Sequence, residues 1–274
     1  MKKILVLILL STLLSPLSSL AQYDLLSAKK NVIKGNYNFW VYTPEEYYYT
    51  QETTPLIFFL HGASLCGHDL NKVLRYGSID AAKMGLMIPA LIVAPQNPGN
   101  WWDPHKLNEI LEWMKKNYVF DESRVYVLGM SLGGYGTIDF AGTYPDKIAA
   151  AVALCGGATI KDYRGLGELP LWIVHGTADR AVSVKESQKI VTGMKTLGIT
   201  SRLRYDWLPG ASHGALARFF YTSKTYEWLF QHTLRDPWRP VNTSIDITKS
   251  DLSNAYREFQ HRTDQLEKEL DSER

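Results

Sequence analysis

Five short apolar runs, at residues 55–60, 91–94, 125–129, 149–154 and 171–174, alternate with stretches of helical character, and this alternation constrains the fold more than any other feature. The runs are apolar throughout rather than at every second residue, which suits strands buried on both faces, and intervening helices bring such strands into parallel order. Leu107, Ile110, Leu111 and Met114 recur at the 3, 4, 7 spacing of one helix face, and residues 183–197 begin at a serine and stop before Gly198. The stretch 36–44, rich in Tyr, Phe, Trp and Val, predicts an antiparallel edge strand. With 274 residues, 45% of them hydrophobic, the chain has material for one sizeable core. The expected architecture is therefore α/β, a mostly parallel sheet covered by helices on both faces, spanning residues 22–242.

The two ends differ from this body. Lys2 and Lys3 precede an apolar run at residues 4–10, and Ser19-Leu20-Ala21 supplies small residues suited to signal-peptide cleavage. Residues 1–21 thus read as an export signal, which implies a secreted or periplasmic product. Ser11, Thr12, Ser15 and Pro16 interrupt the run before the roughly 20 apolar residues of a membrane helix accumulate, so no stable membrane anchor is expected. Residues 243–274 carry eight acidic and five basic side chains, with Leu252, Tyr256, Phe259, Leu266 and Leu270 forming one stripe. They predict an amphipathic helical tail, with Thr248 and Asp251 placed for a capping box.

Charge and cysteine content exclude several function classes. Lys and Arg number 30 against 28 Asp and Glu, so no broad basic surface marks a nucleic-acid partner. Cys66 and Cys155 are too few for a disulfide scaffold or a four-cysteine zinc site. His61, Cys66, His68 and Asp69 mix ligand types without a metal-binding spacing, so neither metal nor cofactor is expected. Nor is a Cys66–Cys155 bridge, because the strand before Ser131 is expected between the strands that precede the two cysteines. That spacing places them about 9.5 Å apart at sheet level, beyond the roughly 7 Å that a bridge allows between Cα atoms.

Chemistry concentrates where strands end. Gly129-Met130-Ser131-Leu132-Gly133 follows an apolar run directly and precedes a helix-compatible stretch. Glycines two residues either side of Ser131 leave room for a sharp turn that lifts the hydroxyl above the sheet edge. A serine hydroxyl is a weak nucleophile, so it needs a base, and the base needs an orienting acid. Asp179 follows the run at 171–174, and His213 follows a predicted strand at 202–208, in the order Ser, acid, His. Asp139 falls on the helix after the serine, Asp162 lies far from a strand end, and Asp206 lies within the last strand. His61 and His175 each precede a glycine at a strand end, where an imidazole can satisfy backbone carbonyls. Ser131, Asp179 and His213 are accordingly the expected catalytic residues.

An acyl-transfer site also needs donors for the oxyanion. The Leu132 amide, directly after the serine, is one. The loop His61-Gly62-Ala63 supplies the other, with Ala63 preferred to Ser64. Only about 15 residues separate Cys155 from Leu171, too few for a covering lid domain, so the serine should be open to solvent. Trp101 and Trp102, on the loop after the run at 91–94, are candidates for a substrate-binding wall, with Trp102 expected to be the exposed one.

Residues 55–62, 121–136 and 175–179, including His61-Gly62, Gly129-Met130-Ser131-Leu132-Gly133 and His175-Gly176-Thr177-Ala178-Asp179, resemble secreted bacterial α/β-hydrolase esterases. The similar groups are the phospholipase/carboxylesterases, polyhydroxybutyrate depolymerases and feruloyl esterases. The resemblance spans about residues 37–234 and implies a serine carboxylesterase acting on small-molecule or polymer-linked esters. A prolyl oligopeptidase-like peptidase is the alternative enzyme, but about 33 residues between the signal and the first core strand leave no room for a gating propeller. A non-catalytic binding protein on a hydrolase scaffold is the alternative outside enzymes.

Overall fold

The computed structural model describes residues 25–255. The export-signal reading at residues 1–21 and the tail positions Tyr256, Phe259, Leu266 and Leu270 lie outside the described residues. Eight strands, β1 Leu26–Lys29, β2 Phe39–Tyr42, β3 Leu56–Leu60, β4 Leu91–Pro95, β5 Val125–Met130, β6 Ala150–Leu154, β7 Leu171–Gly176 and β8 Leu203–Leu208, form one sheet in the order β1-β2-β4-β3-β5-β6-β7-β8. From β4 through β8 all neighbours are parallel, and β1 and β2 add an antiparallel margin. The aromatic strand expected at the edge is thus the second strand in. β1 flanks it, and its Leu-Ser-Ala-Lys sequence carries no apolar run to betray it. A short, partly exposed strand is what a sheet edge tolerates.

Among the described residues seven α-helices accompany the sheet: α1 Tyr47–Thr50, α2 Ser78–Lys83, α3 Pro104–Asn117, α4 Leu132–Thr143, α5 Val184–Thr196, α6 Ser223–Phe230 and α7 Lys249–Asn254. Side chains alternate across the pleat, so Leu56, Phe58 and Leu60 of β3 join one core with α3, α4 and α5, while Ile57 and Phe59 join the other with α2 and α6. That two-sided burial is why the strand runs are continuously apolar. Asp103 caps α3 by accepting from the His105 amide at 2.8 Å, with Pro104 at the first position, and Ser183 caps α5 from the Lys185 amide at 3.3 Å.

The start of the tail is docked on the body. The Thr248–Asp251 capping box forms, Leu252 and Ala255 are buried, and Lys224 reaches Asp251 at 2.9 Å. Burial of a leucine of this kind contributes about 2 kcal/mol. The segment between β6 and β7 holds only a single-turn helix, Arg164–Glu168, and no covering domain. No described helix is long and apolar enough to cross a membrane. β5 lies between β3 and β6, and Cys66 and Cys155 are both free.

Candidate active site

Parallel order sends the carboxyl ends of β3 through β8 to one edge of the sheet, and the residues singled out in the sequence collect there. Ser131 stands between β5 and α4 with φ 59° and ψ −121°, a conformation a non-glycine residue holds at a cost of about 1–3 kcal/mol. Its neighbours make the turn possible. A Cβ at Gly133 would lie 1.8 Å from the Leu60 carbonyl oxygen, and one at Gly129 would lie 2.3 Å from that of Gly133. The Ser131 amide donates to Leu154 O at 2.8 Å, tying the turn to β6.

Asp179 follows β7 and its carboxylate is wholly buried. Oδ1 accepts from the Ala181 and Val182 amides, each at 2.9 Å, and Oδ2 accepts from His213 Nδ1 at 2.7 Å. Burial pushes the Asp179 pKa up, but the Val182 amide, the His213 imidazole and the Ala181 amide outweigh it and hold the carboxyl below its ordinary value. The acid is ionised, and its bond to Nδ1 leaves His213 Nε2 as the basic nitrogen. His213, half-buried at the start of the turn His213–Tyr221, lines a cavity of about 630 Å³ together with Ser131, Leu132, Ala63, Ser64, Tyr76 and Trp101. Neither the Leu132 amide nor the Ala63 amide bonds to a described residue.

The competing groups are engaged elsewhere. His61 is buried. Its Nδ1 donates to Gly62 O at 2.7 Å, its Nε2 accepts from the Asn97 amide at 3.0 Å, and burial lowers its pKa to about 4. It pins the loop after β3 to the loop after β4. His175 Nε2 bonds Val182 O at 2.9 Å and Nδ1 meets Ser187 Oγ at 2.8 Å. Asp139 accepts from Thr159 and from the Ile160 amide, Asp206 from Trp172 and Arg204, and Asp162 pairs with Arg164 at the surface. Among the described residues, the potential ligand atoms that converge are those of Cys155, Asp179 and His213, within 4.8 Å of one another, two of them the acid–base pair itself.

The tryptophans are placed the other way round from expectation. Trp102 is 2% exposed, and its indole donates to His61 O at 3.3 Å. A Cβ on Gly136 would meet its ring at 2.6 Å, so the bare backbone of α4 is what admits the indole beneath the loop. Trp101 is 57% exposed, lines the cavity and packs its ring 5.1 Å from that of Tyr135. Tyr76 and Tyr135 also line the cavity and were not singled out from sequence. Tyr135 stands four residues after the serine on α4, one helical turn, which is a usable signal. Tyr76 has none, because it reaches the site by a loop.

Residues 104–227 match the model of the dienelactone hydrolase family. The chain is 29% identical over 121 residues to poly(3-hydroxyalkanoate) depolymerase C of Paucimonas lemoignei, covering 28% of that protein. It is 31% identical over 84 residues to a bifunctional acetylxylan esterase/xylanase of Neocallimastix patriciarum, covering 12%. These matches take in 38% and 31% of this chain, and the chain spans less than a third of the length of these curated relatives. The crystal structure of a thermostable esterase superposes with a TM-score of 0.67 at 25% identity, over 77% of this chain and 64% of that one. Sheet order, the turn at Ser131 and the superposition on the thermostable esterase give this chain the α/β-hydrolase fold, and its residues 104–227 are similar to the dienelactone hydrolase family.

Proposed function

We propose that the protein is a serine carboxylesterase with Ser131 as nucleophile, His213 as base and Asp179 as its orienting acid. One observation carries the reading: His213, fixed by a buried, ionised Asp179, faces a cavity that it shares with Ser131 and two free amides. His213 Nε2 takes the proton as Ser131 Oγ bonds to the ester carbonyl carbon, and the carbonyl π pair moves to oxygen, where the Leu132 and Ala63 amides hold it. The tetrahedral species then collapses, expelling the alcohol as His213 returns the proton to it. Water repeats the sequence on the acyl-enzyme and releases the acid.

The short connection between β6 and β7, which carries no covering domain, and the exposed Trp101 suit esters carried on a bulky or polymeric group, presented to an open site. An export signal at residues 1–21 would deliver the enzyme to such substrates outside the cytoplasm. The test is hydrolysis of a short-chain chromogenic ester by the purified mature chain, with a stoichiometric burst. An enzyme that releases no chromophore, or a folded Ser131→Ala variant that matches wild type, would refute the reading.

A further inference from the structure

We propose that the Tyr76 hydroxyl is a third donor to the oxyanion, beside the amides of Leu132 and Ala63. The inference rests on the serine-esterase reading, and deepens it.

Tyr76 follows the short helix Leu70–Arg75 and precedes Gly77, whose φ of 104° turns the chain back under the sheet edge. Its ring is held edge-on by Phe59 at 6.1 Å and lies 6.1 Å from Phe220, both buried apolar neighbours, so the phenol has a set direction. That direction brings the hydroxyl to the oxyanion loop, where it accepts from the Gly62 amide at 2.8 Å. Gly62 therefore spends its amide on Tyr76 rather than on substrate.

A phenol oxygen has two acceptor positions and one proton. The Gly62 amide occupies one position, and the Ser64 hydroxyl, which can donate or accept, also lies within reach of the oxygen. Because the Gly62 amide donates to the oxygen, the Tyr76 proton is directed away from Gly62, and Ser64 is the described side chain within its reach. Burial pushes the phenol pKa up, so that proton is present across the working pH range. Tyr76 lines the same cavity as Ser131, Leu132 and Ala63. A Cβ at Gly62 would lie 3.0 Å from the Tyr76 oxygen and 3.3 Å from Ser131 Cβ, so phenol and nucleophile converge on the same bare Cα.

The oxygen that becomes negative when Ser131 adds to the carbonyl is a stronger acceptor for this proton than a neutral serine hydroxyl. The Gly62 amide, donating into the phenol, polarises the O–H and strengthens its donation onward. A side-chain donor added to two amides matters most in the transition state, where charge on oxygen is greatest.

The experiment compares wild type, Ser131→Ala, Tyr76→Phe and an enzyme carrying at position 76 a fluorinated tyrosine whose phenol titrates near neutrality. Tyr76→Phe should lose about 10²-fold in kcat with little change in KM. Its affinity for a tetrahedral boronic acid mimic should fall by the same factor. In the fluorotyrosine enzyme, kcat/KM should gain a descending limb at the pKa of the fluorophenol. Loss of the proton removes the donor, while the phenolate still accepts from Gly62, so a merely structural role predicts a flat profile there. The other titratable groups facing this hydroxyl are the thiols of Cys66 and Cys155, with His213 across the cavity, and all are unchanged in the comparison. If Ser131→Ala is inactive and Tyr76→Phe stays within twofold of wild type, or the fluorotyrosine profile is flat, the third donor is refuted and the esterase reading stands. If Ser131→Ala keeps wild-type turnover, both are refuted. Should Tyr76→Phe fail to fold, the fluorotyrosine profile decides alone.

Discussion

His175 Nε2 stands 3.3 Å from Asp179 Oδ2, the oxygen that His213 Nδ1 holds at 2.7 Å. The acid thus meets two imidazoles, one half-buried at the cavity and one wholly buried behind it. Because His175 Nε2 donates to Val182 O, and Val182 in turn donates its amide to Asp179 Oδ1, His175 braces the turn that shapes the acid.

Replacement of His175 by Gln should therefore act on stability and turnover together. Orphaning Val182 O should cost about 1–3 kcal/mol, seen as a lower Tm, while the Ser187 hydroxyl keeps its bond to Gly156 O at 2.7 Å. Turnover should fall about tenfold through the displaced Asp179. A variant with wild-type Tm and kcat would show that the turn is held by its own backbone bonds.

Alanine at Ser131 or His213 should lower kcat by about 10⁴-fold or more, with Asp179→Ala milder, since residues that act as a unit fail together. The double variant Ser131→Ala/His213→Ala should be no slower than either single one. Additive losses in steady-state assays would mean that the two side chains act in separate steps.

The two tryptophans should separate cleanly. Trp102→Ala empties a buried site and should cost about 3–5 kcal/mol of stability, while lowering activity on all esters alike. Trp101→Ala should leave Tm within a degree or two and reduce kcat/KM selectively for bulky aromatic or glycosidic esters over acetate. Equal losses on both substrate classes for Trp101→Ala would remove its ring from substrate binding.

Mild acid should destabilise the fold through two buried histidines. His61 and His232 are buried with pKa values lowered by burial to about 4, against about 6.5 in the unfolded chain. Their neutral forms favour the folded state fully above pH 6.5, and that contribution is lost as pH falls towards 4, at about 1.4 kcal/mol per unit for each. Denaturant midpoints measured from pH 7 to pH 5 should fall accordingly. His232 Nε2 is buried without a partner, and the ring packs edge-on against Trp228 at 4.8 Å, so His232→Phe should reduce the slope by one proton. An unchanged slope would show that His232 is not buried neutral.

Much of this architecture is legible in the chain because its signals are local. Apolar runs mark strands buried on both faces, the caps of α3 and α5 are set by Asp103 and Ser183, and the glycines around Ser131 answer a contact between adjacent elements. Strand ends, and so the positions of Ser131, Asp179 and His213 along the chain, follow from periodicity alone. What periodicity does not encode is where a loop side chain points. Trp101 and Trp102 are chemically identical neighbours, and only the gap left by Gly136 on α4, reached across the fold, decides that the second goes under and the first faces the cavity. β1 was invisible for a related reason: its pairing with β2, not its own composition, makes it a strand. Tyr76 reaches Gly62 from fourteen residues away along an irregular loop, and His175 reaches Asp179 only because the turn after β7 folds back on itself. The sequence determined the parallel strands, the helices with clear caps and the chain order of the groups at the sheet edge. Tertiary structure decided which side chains those groups meet, because such contacts depend on packing between segments that no local pattern couples.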